Sequence, residues 1–84
     1  MHIDLEYAIV LVEDETSDAQ LVATAPSVEL AMALVTRHDL ARWTEDRASY
    51  REIQWAGVIG KRGLVSDDRG GTHYEIFPQV RPAV

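Results

Sequence analysis

Apolar and polar residues alternate along the first twelve positions of the chain. One alternate set is apolar throughout and comprises Ile3, Leu5, Tyr7, Ile9 and Leu11. The other set begins polar with His2, Asp4 and Glu6 and then turns apolar with Ala8, Val10 and Val12. A period of two residues predicts a β-strand. Two apolar faces are typical of a strand that is covered on both sides, so we expect cover over both faces of its second half.

Three further strands are predicted by the same criterion. The polar segment 13–18 predicts a turn, after which Ala19–Thr24 returns as a second strand, so that the two strands form an antiparallel hairpin. Arg51–Ile59 alternates and predicts a third strand. Thr72–Val80 predicts a fourth, and Pro78 within it indicates an edge strand or a strand end, because proline has no backbone donor for a neighbouring strand.

A single helix is predicted in the middle of the chain. The run Thr24-Ala25-Pro26-Ser27 is typical of a helix start, because proline is tolerated in the first turn and Thr24 or Ser27 can cap. The stretch from Val28 to about Arg47 contains no glycine or proline and is rich in helix-forming residues. We therefore expect one helix between the second and third strands.

The order of these elements predicts an α+β fold. The strands and the helix follow one another as β-β-α-β-β, which indicates an antiparallel sheet with one helix packed on a face. Leu64 and Val65 are predicted to extend the third strand past a glycine bend, with a turn at Ser66–Gly71. With 84 residues the chain is long enough for one domain, so residues 1–84 are predicted to fold as a single unit.

The apolar positions exceed what this fold is expected to bury. One helix cannot cover both faces of a four-stranded sheet, and the first half of the helix is apolar nearly all round. We therefore predict a two-fold homodimer with an interface at Val10, Val12, Leu30 and Leu34. The alternative is that the strand phase differs from this interpretation and that the monomer buries all four side chains.

Charge is distributed unevenly along the chain. The net charge is −6, from 8 basic and 14 acidic residues, and the first 36 residues contain seven acidic groups and no Lys or Arg. Such an excess repels the phosphate backbone of nucleic acid and attracts a basic protein surface. We predict that a partner binds the first hairpin at Glu13, Asp14, Glu15 and Asp18. The alternative is that the acidic charge serves solubility only.

These features favour a non-enzymatic protein-interaction or regulatory module as the function. Accessory, phage-encoded and toxin–antitoxin roles are all compatible with a small acidic chain. A sharper form of the hypothesis is that the carboxylates imitate nucleic acid and compete for the arginine and lysine side chains of a nucleic-acid-binding protein.

A glycine-rich string offers a different class of function. Val58-Ile59-Gly60-Lys61-Arg62-Gly63 resembles the Gly-x-x-Gly loop of KH RNA-binding domains, in which an aliphatic pair precedes the loop. The resemblance covers six residues and implies nucleic-acid binding through Gly60, Lys61, Arg62 and Gly63. In KH domains the loop joins two helices, whereas here the preceding residues alternate as a strand. A bend between strand segments is the competing interpretation.

The chain contains few candidates for catalytic or metal-binding residues. His2, Asp4 and Glu6 share one face of the first strand, but a solvated polar face is the simpler interpretation. His38, Asp39 and His73 are acid–base candidates without a recognisable nucleophile, and the chain has no cysteine. We predict no catalytic residue, metal or cofactor, and an unrecognised small enzyme is the alternative. The longest apolar run, Ala8–Val12, is too short for a membrane span, so we expect a cytoplasmic protein.

Overall fold

The computed structural model describes residues 4–43, 50–58 and 63–81. Within these ranges the chain forms one helix and five strands, in the order β1 Leu5–Glu13, β2 Ala19–Ala25, α1 Val28–Arg42, β3 Trp55–Val58, β4 Gly63–Ser66 and β5 Thr72–Val80. The helix packs against one face of the sheet. This arrangement confirms the predicted α+β class and the antiparallel sheet. No helix among the described residues is both long and apolar enough to traverse a membrane.

The sheet has the strand order β2-β1-β5-β4-β3, with antiparallel pairing between neighbours. Its centre is the long ladder between β1 and β5, which runs from Leu5 opposite Val80 to Glu13 opposite Thr72. The bounds predicted for the last strand are confirmed, but that strand lies inside the sheet and not at its edge. Pro78 is tolerated there because the observed pairing of β4 to β5 involves only Ile76 and Glu75. At Pro78, therefore, β5 pairs with β1 alone among the described strands.

The segment predicted as an extended third strand contains two separate strands. β3 and β4 pair antiparallel, from Trp55 opposite Ser66 to Val58 opposite Gly63, so the chain reverses direction between them. Leu64 and Val65 therefore belong to a strand of their own. The alternating pattern cannot distinguish a continued strand from a hairpin, because both preserve a period of two residues.

The helix begins where the sequence indicates and ends earlier than expected. Ser27 is the N-cap, and its Oγ accepts a hydrogen bond of 3.2 Å from the backbone N–H of Leu30. The last helical residue is Arg42, so the predicted end near Arg47 is not reached, and residues 44–49 lie outside the described part of the chain. The buried side chains of the helix are Ala31, Val35 and Asp39, spaced four residues apart on one stripe.

The core lies between this stripe and one face of the sheet. Its buried members are Ile9, Ala25, Ala31, Val35, Ile53, Tyr74 and Ile76. Tyr7 and Leu11 flank Ile9 on the same face of β1 and pack against this core. Since side chains alternate along a strand, Val10 and Val12 belong to the opposite face, which the helix does not cover.

The four residues predicted as one dimer interface do not share a surface. Val10 and Val12 lie on the face of the sheet opposite the helix. Leu34 packs against the core, and Leu30 is on the helix and 44% exposed. The two pairs are therefore on opposite sides of the sheet, and no single patch contains all four. The sequence pattern did not indicate which face of β1 the helix covers. Because the helix covers the face opposite Val10 and Val12, the sheet separates these two residues from Leu30 and Leu34.

Candidate interaction surface

The face of the sheet opposite the helix carries a row of residues that crosses all five strands. The strand register aligns Leu21, Val10, Glu75, Val65 and Ala56 in this row. A second row aligns Thr24, Ala8 and Phe77, and a third contains Ala19, Val12 and His73. Leu21 is 62% exposed and Phe77 is 37% exposed. We call these three rows the open face.

The acidic turn projects from one end of the sheet. The backbone N–H of Glu13 donates to the carbonyl of Asp18 at 2.8 Å, and that of Ser17 donates to the carbonyl of Glu13 at 2.8 Å. Ser17 adopts a φ of 61°, which closes the turn. The carboxylates predicted to bind a partner, Glu13, Asp14, Glu15 and Asp18, all belong to exposed residues on this closed loop. The turn is therefore an ordered acidic projection.

One of the four carboxylates is bound within the chain. Asp14 Oδ1 contacts Nδ1 of His73, and the other ring nitrogen, Nε2, lies 3.0 Å from Oε2 of Glu75. The backbone N–H of Asp14 also donates to the carbonyl of Gly71 at 2.8 Å. Asp14 thus anchors the acidic turn to β5, and Glu13, Glu15 and Asp18 remain as the outward carboxylates.

The position of His73 between two carboxylates favours its protonated form. A neutral imidazole has one donor and one acceptor nitrogen, whereas both nitrogens here face carboxylate oxygens. Only the imidazolium donates to both, so this arrangement favours the protonated ring. Partial burial lowers the pKa of His73, but the hydrogen bonds to Glu75 and Asp14 outweigh it and raise the pKa above 6.5. The contact with Asp14 was not predicted from the sequence, because Asp14 and His73 are 59 residues apart.

A second polar cluster is buried under the C-terminal half of the helix. Asp39 is fully buried, its Oδ2 lies 3.3 Å from Nη1 of Arg69, and the Tyr50 hydroxyl donates to Oδ2 at 2.9 Å. Arg42 Nη1 approaches Oδ1 at 3.7 Å. Burial, reinforced by the bond to Asp39, raises the pKa of Tyr50 to about 12. The sequence signal for this cluster was a carboxylate at position 39 on the same helical stripe as Ala31 and Val35.

His38 belongs to this polar layer as well. Its Nδ1 lies 2.6 Å from the hydroxyl of Tyr74, which also accepts a hydrogen bond of 3.4 Å from Nη1 of Arg42. Which of His38 and Tyr74 donates in this bond depends on the tautomer of the His38 ring. Burial raises the pKa of Tyr74, although Arg42 opposes the shift. Tyr74 is only 2% exposed, so this pair joins the helix to β5 inside the protein.

Neither of two shallow cavities among the described residues contains an imidazole. One is lined by Leu11, Glu13, Asp18, Ala19, Gln20 and Thr72, and the other by Leu5, Glu6, Thr24, Ala25, Pro26 and Arg81. The enzyme alternative requires a concave pocket that holds His38 or His73 beside a carboxylate. These two cavities do not provide it, and the absence of enzymatic activity stays a prediction.

The glycine-rich loop lies mostly outside the described residues. Gly60, Lys61 and Arg62 are not described, and Gly63 is the first residue of β4. The loop is flanked by β3 and β4, so the two helices that enclose a KH loop are not found at its described flanks. Nucleic-acid binding through this loop stays a prediction, which a salt-dependent gel shift with single-stranded RNA or DNA would test.

Of the three residues considered as metal ligands on the first strand, His2 lies outside the described residues. Glu6 Oε1 accepts a hydrogen bond of 2.8 Å from Nε2 of Gln79. Over residues 4–43, 50–58 and 63–81, no three acidic, histidine or cysteine side chains are grouped as metal ligands.

The surface of the chain thus combines an ordered acidic turn, a partly apolar open face and a histidine that connects them. Comparisons of this chain with protein-family models, with curated proteins and with solved structures found no match.

Proposed function

We propose that this chain is a small non-enzymatic protein-interaction module that acts as a homodimer and presents its acidic turn to a basic surface of a partner. The observation that carries the proposal is the turn itself: four acidic residues are exposed on a loop closed by two backbone hydrogen bonds. An ordered loop loses less conformational entropy on binding than a flexible acidic tail would lose.

Charge supports a basic partner. The net charge of −6 resides in the N-terminal part of the chain, which contains the turn. Four of the seven acidic residues in this part belong to the turn, and a negatively charged surface steers a protein towards positive surfaces and accelerates encounter. A nucleic-acid-binding protein is one class of partner with such a surface, because its arginines and lysines already bind anionic oxygens. The proposal therefore includes a regulatory module that occupies a nucleic-acid site.

The experiment compares two variants that lose the same charge. Glu15→Gln with Asp18→Asn removes two carboxylates of the turn and leaves Asp14 bound to His73. Glu29→Gln with Glu52→Gln is the control, since it removes two exposed carboxylates elsewhere. Full-length proteins serve as baits in pull-downs with quantitative mass spectrometry, followed by affinity measurement with the purified partner at several salt concentrations.

We expect the turn variant to bind the partner at least tenfold more weakly than the wild type, and the control to bind within about twofold. Affinity of the wild type falls as salt rises, because exposed charges are screened. Equal binding by the two variants, or affinity independent of salt, would contradict the proposal. Circular dichroism of each variant establishes that the fold is retained.

A further inference from the structure

The open face is more apolar than a solvated sheet surface requires. Its side chains include Leu21, which is 62% exposed, and Phe77, which is 37% exposed, together with the half-buried Val10, Val12 and Val65. These residues lie on four neighbouring strands, on either side of Glu75 in the central row. Several exposed apolar side chains on one face of a sheet are typical of a contact with another polypeptide.

The two charged side chains of the open face, His73 and Glu75, already have partners. In the row next to Ala8 and Phe77, Gln79 Nε2 donates to Glu6 Oε1 at 2.8 Å. Glu75, which lies between Val10 and Val65 in the central row, is paired with His73, and His73 is paired with Asp14. Burying a carboxylate that has no partner is strongly unfavourable, whereas burying a paired one is far less so. The face can therefore be covered without leaving these groups unpaired.

The exposed edge of β2 is a less suitable contact. Its sequence, Ala19–Ala25, carries no charge or proline, which leaves the backbone open to pairing. However, the register between β1 and β2 shifts by one residue between Ile9 and Val10, which leaves Val22 as the extra residue of a β-bulge. In an antiparallel pair of β2 edges, side chains on either side of the bulge would alternate out of step. The bulge therefore disfavours edge-to-edge pairing of two copies.

We infer that the open face is the interface between two copies of this chain, stacked sheet on sheet around a two-fold axis. This inference rests on the homodimer in the proposed function and specifies its contact surface. Two antiparallel sheets that pack face to face bury their facing side chains in a layer about 10 Å thick. A two-fold axis places the same patch on both sides, so the paired Glu75 of each copy remains satisfied by its own His73.

Repulsion between the acidic turns favours one orientation of the two sheets. If the strands of both copies ran in the same direction, the two acidic turns would lie at the same end and repel each other. With the strand direction reversed, the turns lie at opposite ends of the dimer and each is free for a partner. We therefore place the two-fold axis across the strands.

The size of the face sets the expected strength of the contact. Strands of these lengths, spaced about 4.8 Å apart, span roughly 500 Å² in projection, which is at the small end for specific interfaces. Such an interface gives a dimer that dissociates on dilution in the micromolar range or above. The oligomeric state must therefore be measured over a wide range of concentrations.

The first experiment compares the same substitution on opposite sides of the sheet. Leu21→Lys places a charge on the open face, and Leu30→Lys is the matched control, because Leu30 is also exposed but lies on the helix. Sedimentation velocity from micromolar to millimolar protein gives the dimer dissociation constant of each. We expect Leu21→Lys to raise this constant at least tenfold and Leu30→Lys to change it by less than twofold.

The second experiment uses the absence of cysteine from the chain. The variant Glu15→Cys, labelled with a nitroxide, reports the distance between the two acidic turns. We expect roughly 30 Å or more, the length of a nine-residue strand, for turns at opposite ends. A distance below about 20 Å would overturn the orientation.

Three results would overturn the interface itself: a monomer at millimolar concentration, a dimer weakened by Leu30→Lys and not by Leu21→Lys, and a dimer insensitive to both substitutions. The last two would leave the homodimer of the proposed function in place and remove only its assigned surface. Partner binding by the acidic turn is measured separately, so its failure is distinguishable from failure of the interface.

Discussion

His73 and Glu75 lie on the same face of β5, and Nε2 of the histidine is 3.0 Å from Oε2 of the glutamate. Glu75 is the one charged residue in the row that crosses the open face, and Val10 and Val65 flank it. The pair therefore places a ring nitrogen of His73 beside the carboxylate that burial of this face would otherwise leave without a partner. Asp14 completes the arrangement from the acidic turn.

This arrangement predicts pH-dependent stability. The charged groups in contact with His73 among the described residues are Asp14 and Glu75, and both favour the imidazolium, so the pKa of His73 is raised above 6.5 in the folded state. A raised pKa means that the folded state holds the proton more tightly than the unfolded state. The contribution to the free energy of unfolding is therefore complete below pH 6.5 and is lost as pH rises through the folded-state pKa.

Two measurements check the role of His73. An NMR titration of the wild type is expected to give a His73 midpoint above 6.5, and Asp14→Asn is expected to lower it, because one of the two carboxylates is lost. Urea unfolding at pH 6 and pH 9 is expected to show less pH dependence in His73→Gln than in the wild type. A His73 midpoint below 6.5 would contradict the prediction.

The buried cluster at Asp39 predicts a large loss of stability on mutation. Asp39→Ala leaves Arg69, which is 9% exposed, without its carboxylate. Removing one partner of a buried pair costs about 3–5 kcal/mol. Asp67→Ala is the control, because Asp67 pairs at 3.7 Å with an Arg51 whose side chain is 74% exposed, and exposed pairs contribute about 0–1 kcal/mol. Urea denaturation of both variants measures the difference, and equal losses would show that the Asp39 cluster contributes little.

Alanine substitutions at Gly63 and Gly71 distinguish the cost of steric overlap from the cost of backbone strain. Both have positive φ, 78° and 82°. A Cβ at Gly63 would lie 2.0 Å from the carbonyl oxygen of Ile76, whereas a Cβ at Gly71 would meet nothing within 4 Å. We expect Gly71→Ala to cost about 1 kcal/mol through strain alone and Gly63→Ala to cost more than about 3 kcal/mol. Thermal or urea unfolding checks this order, and comparable losses would contradict the close approach of β4 to β5.

Much of the fold was predictable because it depends on local patterns. A period of two residues located β1 and β5, and a capping serine after proline located the start of α1. The division of the third predicted strand into β3 and β4 was not predictable, since a hairpin and a continuous strand share the same alternation. The interior position of β5 was not predictable either, because Pro78 favoured an edge strand and the pairing partners of β5 are distant in the sequence.

The candidate site was predictable in part. The acidic turn was found from composition, because exposed carboxylates require no tertiary partner. The contacts of Asp14 with His73 and of Asp39 with Arg69 join residues 59 and 30 positions apart, and no spacing rule connects them. The interface predicted at Val10, Val12, Leu30 and Leu34 grouped residues that the sheet separates.

Short segments of the sequence specify the class of fold, the start of the helix and the acidic character of the first hairpin. These features depend on propensity, periodicity and charge, which are local properties. The tertiary structure alone decided which face of the sheet the helix covers, and therefore which apolar residues remain open and which charged groups meet. The covered face depends on the packing of strands that are distant in the chain, and no local pattern in the sequence specifies their order in the sheet.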